Sequence, residues 1–62
     1  MNIEMLRKEF KKILVLEKRA KIFYDHYIDQ VSDKDIKEQL IAIRDDEVKH
    51  VEIAQKLVDY VS

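Results

Sequence analysis

Val31-Ser32-Asp33-Lys34-Asp35 decides the fold, because it is the one place where the chain stops reading as helix. Ser32 or Asp33 can cap a helix start, and Asp35 stands where the partner of a Ser32 capping box would fall. Asp33, Asp35 and Glu38 place negative charge in a first turn, where the helix dipole favours it. On either side the chain is rich in Lys, Glu, Leu, Ile and Ala, with no Gly and no Pro to break it. The reading is a single all-α domain over residues 1–62. It has a helix over about 3–31, a tight turn at about 32–33 and a helix over about 34–61. Each helix would be roughly 40 Å long at 1.5 Å per residue, and so short a connection makes the two antiparallel neighbours.

Composition removes several function classes. The chain has 62 residues, 12 Lys+Arg, 13 Asp+Glu and a net charge of -1. A near-neutral balance argues against a general nucleic-acid binder, whose footprint would be basic. The absence of Cys removes disulfides, zinc fingers and rubredoxin-type iron sites. The absence of Gly removes phosphate-cradling loops and dinucleotide fingerprints. No apolar run approaches the roughly 20 residues of a membrane span, and no signal peptide is legible, so the expected setting is the cytoplasm.

Apolar periodicity carries the rest. In the first helix Ile3, Leu6, Phe10, Ile13, Glu17, Ala20, Tyr24, Tyr27 and Val31 alternate spacings of three and four. In the second, Ile36, Leu40, Ile43, Glu47, His50, Ala54, Leu57 and Val61 do the same. These are a/d seams of the kind that line helical bundles. Only Glu17, Glu47 and His50 interrupt them with polar side chains. In a hairpin turning at 32–33, residues whose numbers sum to about 64 lie level, which places Glu17 opposite Glu47. His50 follows one turn later on the same face.

Two helices cannot cover their own seams, so the hairpin is expected to dimerise into a four-helix bundle. Two chains would then gather four Glu and two His in one core layer. Buried carboxylates must be protonated, paired or metal-bound. An oxygen-rich set with one His per metal suits Fe or Mn, and less selectively Zn. A Glu from each of two helices and Glu-x-x-His from each of the others is the known recipe for a carboxylate-bridged di-metal centre. Leu16 and Phe23, with Ile41, Val48, Val51 and Val58, widen the apolar surface and suggest a homo-oligomer beyond the dimer.

Glu17 with Tyr24 seven positions on, Glu47-Val48-Lys49-His50, and the 30-residue interval from Glu17 to Glu47 across one hairpin resemble the ferritin-like superfamily. The likeness is to half-size encapsulated ferritins, and more distantly to rubrerythrins and bacterioferritins, over about Leu16 to Leu57. It implies a ferroxidase, oxidising Fe(II) to Fe(III) with O2 or peroxide at a site between two chains, in iron storage or detoxification. It further implies two Fe per dimer, one per chain, with Glu17, Glu47 and His50 as metal ligands. Glu47 would bridge, and Tyr24 would hydrogen-bond a ligand carboxylate. Such chains assemble into rings and serve as cargo of an encapsulin shell, which would be the partner and compartment here. The flanks of Glu17 are Leu16, Lys18 and Arg19, where encapsulated ferritins often carry acidic residues of a metal entry site.

Other readings stand beside this one. Glu17 could instead pair with Lys21 or Arg44, and Tyr24 could be core packing. His26, Asp45, Asp46, Lys11-Lys12 and Lys18-Arg19 read as solvated surface. A rubrerythrin-type peroxide scavenger would share the site but need an external electron donor. A metal-free helical oligomerisation module would need no ligands at all.

Overall fold

The computed structural model describes all 62 residues. It is a hairpin of two helices, α1 over Ile3–Gln30 and α2 over Lys34–Val61, with no strands. Its extents are 47 × 15 × 14 Å.

The helix ends explain the turn. Asn2 caps α1, its side chain accepting from the Met5 N–H at 2.9 Å. Asp33 caps α2, accepting from the Ile36 N–H at 2.9 Å. Asp33 rather than Ser32 therefore starts the helix, and the expected Ser32–Asp35 capping box does not form. Asp35 instead lies in the first turn of α2, where its charge suits the dipole. Val31 leaves α1 in extended geometry, with φ -83° and ψ 130°, one residue earlier than expected. No residue has positive φ, so the reversal needs no glycine. At the open end the Arg7 Nε donates to the Val61 carbonyl, which ties the start of α1 to the last turn of α2.

Burial corrects the seam. Only Leu14, Ala54 and Val61 are buried, at 9%, 3% and 7% exposure. Leu14 lies off the expected a/d positions, whereas Ile3, Ile13, Tyr27, Ile36, Ile43 and Leu57 lie on them and are exposed. Two helices in contact share one narrow strip, here running through Phe10, Leu14, Glu17 and Tyr24 on α1 and Leu40, Glu47, Ala54 and Val61 on α2. The rest of each predicted seam turns to one open side of the hairpin. The accessible surface is 4985 Å², against about 4,200 Å² for a compact monomer of this mass. The radius of gyration is 14.4 Å, against roughly 11 Å for a compact chain of this length. Both differences follow from the elongation of a two-helix rod 47 Å long.

Candidate metal centre

Glu17 comes from the middle of α1, and Glu47 and His50 from successive turns of α2. Antiparallel packing brings them together. One donor atom from each lies within 4.8 Å of the others. His50 Nδ1 stands 3.6 Å from Glu17 Oε2 and 3.5 Å from Glu47 Oε1. First-row divalent ions bind N and O at about 2.0–2.2 Å, so ligands of one ion stand up to roughly 4 Å apart. The His50 distances to both carboxylates fall within that span, and the donor set suits the chemistry of a divalent cation.

Exposure grades across the three. The Glu47 side chain is 17% exposed, Glu17 29% and His50 54%. Glu47 Oε2 is buried and has no hydrogen-bond partner. A buried carboxylate oxygen left unpaired is costly, and a cation or a proton is what relieves it. Glu17 is held above the usual carboxylate pKa of 4.5. The first cause is hydrogen bonding with Glu47, followed by burial and then by the Glu47 charge; His50 opposes the shift. Two carboxyls this close favour holding one proton between them. A bound cation would displace that proton and take its place.

The surroundings are apolar. Glu17 and His50 line a concavity with Ile13, Ile53, Ala54 and Leu57, open on the uncovered side of the hairpin. A second surface laid there would close it.

Neither cation proposed as a partner for Glu17 reaches it. Lys21 Nζ is 2.7 Å from Asp25 Oδ2, and Arg44 Nη1 is 2.8 Å from Asp25 Oδ1. Arg44 Nε also lies 2.9 Å from Asp45. Asp25 is thus the hinge of a three-residue ion cluster across both helices, and these cations hold its carboxyl below the usual range. Its Lys21-x-x-x-Asp25 spacing was the available signal, but the link to Arg44 depends on how the helices face each other. Tyr24 is half-buried two turns beyond Glu17 and makes no hydrogen bond within the hairpin to Glu17, Glu47 or His50. His26 is exposed and meets the Tyr27 ring edge-on at 5.8 Å.

A two-helix hairpin occurs in many unrelated folds and does not by itself argue for ferritin-like membership. The chain matches no protein-family model, and neither the curated proteins nor the solved structures gave a match.

Proposed function

We propose that two hairpins pair through their open faces and act as a ferroxidase. Fe(II) would be the substrate, oxidised to Fe(III) with O2 or peroxide as electron acceptor. The observation that supports this is the Glu17–Glu47–His50 group, whose donor atoms lie within 4.8 Å of one another beside an uncovered apolar concavity. Pairing about a two-fold axis would double the set to four carboxylates and two imidazoles, enough for two iron ions held between chains. Mn or Zn suits the same ligands.

Each side chain has a task in this reading. Glu17 and Glu47 bind the cation and balance its rising charge. His50 supplies the nitrogen, and its other ring nitrogen would need an acceptor from the second chain. Ile13, Ile53 and Leu57 exclude water once covered, which strengthens the electrostatics inside. Tyr24, free of partners here, would reach a carboxylate of the opposing copy. Enclosure in an encapsulin shell rests on the resemblance alone.

A specific observation also favours a second reading. His50 Nδ1 lies close to both carboxylates, so the three groups can share protons as a polar network in a metal-free oligomerisation module. Fe(II)-dependent O2 or peroxide consumption decides between them. The ferroxidase loses that activity in Glu47→Ala and holds one iron per chain by native mass spectrometry. Equal rates in variant and parent, with no iron retained, leave the module.

A further inference from the structure

Positive charge is unevenly placed along this near-neutral chain. Residues 8–23 hold six of the 12 Lys+Arg and two of the 13 Asp+Glu. One of those acids, Glu9, stands 3.2 Å from Lys12, and the other, Glu17, belongs to the cluster with Glu47 and His50. Lys8, Lys11, Lys12, Lys18 and Arg19 are all exposed, on the side of α1 turned away from α2. Of these five cations only Lys12 is in an ion pair. The outer side of α2 has no such bias, because Asp45, Glu52 and Asp59 alternate there with Lys49 and Lys56. The basic surface is a property of α1 alone.

Large apolar side chains share that surface. Val15, Leu16, Ile22 and Phe23 are 47%, 61%, 64% and 60% exposed. Lys11, Lys12, Val15, Leu16 and Arg19 line one shallow groove. At 3.6 residues per turn Val15 and Ile22 form one row and Leu16 and Phe23 another, with Lys12 and Arg19 between them. A helical protein partner offers a single apolar seam with charges along its edges. Cations standing between two apolar rows do not match that seam. Nucleic acid would set phosphates against the aliphatic rows and find one ring, Phe23, to stack on. A phospholipid surface suits both features. Its headgroups are mobile and need no register, long Lys and Arg side chains reach their phosphates, and shorter apolar side chains enter the acyl boundary. No helix is long and apolar enough to cross a membrane, so such a contact lies along the surface.

We propose that the outer side of α1 lies on an anionic phospholipid bilayer. Val15, Leu16, Ile22 and Phe23 dip below the phosphates, and the five exposed cations bind them. The contact does not use the Glu17–Glu47–His50 group, so it stands whether or not the chain binds iron.

Vesicle flotation of the full chain tests this. The probes are vesicles of phosphatidylcholine alone and vesicles of equal parts phosphatidylcholine and phosphatidylglycerol. The chain is expected to float with the second and not with the first, and added salt should weaken the binding by screening it. Lys18→Glu with Arg19→Glu should lower partition onto the anionic vesicles by more than about tenfold, since each cation near such a surface adds to the attraction. Ile22→Ser with Phe23→Ser keeps every charge and should lower it about tenfold as well, because apolar insertion is lost. Circular dichroism shows that both variants still fold. A parent chain that stays off the anionic vesicles overturns the proposal, whether it binds nothing or binds duplex DNA or an acidic peptide instead. Equal binding to the two kinds of vesicle also overturns it. So does either variant binding as tightly as the parent.

Discussion

Glu17 and Glu47 stand 30 positions apart in sequence and face one another across the hairpin, with His50 Nδ1 3.6 Å from the first and 3.5 Å from the second. The Glu47 carboxyl is the main reason that Glu17 stays above its usual 4.5. In the folded chain Glu17 therefore binds its proton to higher pH than in the unfolded chain. The folded state holds more protons across that window, so its stability falls as pH rises through the elevated pKa. Metal-free protein should melt at a lower temperature as pH rises above 4.5, and Glu17→Gln should flatten that slope. A slope unchanged in the variant would assign it to another group. Asp25 acts in the opposite direction. Its pKa is lowered from 3.8 by Lys21 and Arg44, so its contribution is lost only as pH falls below that value.

Glu47 carries the second prediction, because its buried Oε2 has no partner. Replacing a buried charge with an apolar residue of similar size is often neutral or stabilises by about 1–4 kcal/mol. Metal-free Glu47→Leu should therefore match or exceed the parent in Tm. A divalent cation at a hundred times its Kd should stabilise the parent by about 2.7 kcal/mol. The variant should show no such gain. Thermal scans with and without anaerobic Fe(II), or Mn(II) as a redox-quiet substitute, read both effects. A parent Tm indifferent to either metal favours the metal-free module.

Much of this is legible in the sequence. Two helices follow from the absence of Gly and Pro and from one capping signal at residues 32–33. The meeting of Glu17, Glu47 and His50 follows from the three-and-four spacing once the turn is placed. What the spacing could not give was which side of each seam the hairpin itself would cover. A seam read for a four-helix core points between two neighbours, and a lone hairpin has only one. That is why Leu14 is buried while Ile13, beside it, is exposed. The ion cluster on Asp25 was hidden for the same reason: Lys21 and Arg44 turn toward the opposite side from the open face, and only the contact strip fixes that.

Asp33 sets the turn. Its side chain satisfies the Ile36 N–H at 2.9 Å, and no glycine shares the task. Asp33→Ala should cost about 1 kcal/mol, the usual loss for an N-cap. Ser32→Ala should change little, since Ser32 is exposed and makes no capping bond. Chemical denaturation of both variants checks the assignment. A larger loss in Ser32→Ala would return the cap to that residue.

The open face makes the last prediction. Ile36, Ile43, Ile53 and Leu57 are all exposed on α2, and Ile13 and Tyr27 on α1. Burying an aliphatic side chain of this size contributes about 1.5–3 kcal/mol. With three residues buried in the hairpin, the proposed pairing would supply most of the stabilising burial. Helicity should therefore fall on dilution as the pair dissociates. Ile43→Glu puts a charge into the proposed interface, once from each chain, and should shift that loss to much higher concentration. Circular dichroism across a dilution series, run beside sedimentation of the same samples, measures both. Helicity independent of concentration in the parent, or an Ile43→Glu chain that pairs as well as the parent, would show that the open face is not where the copies meet.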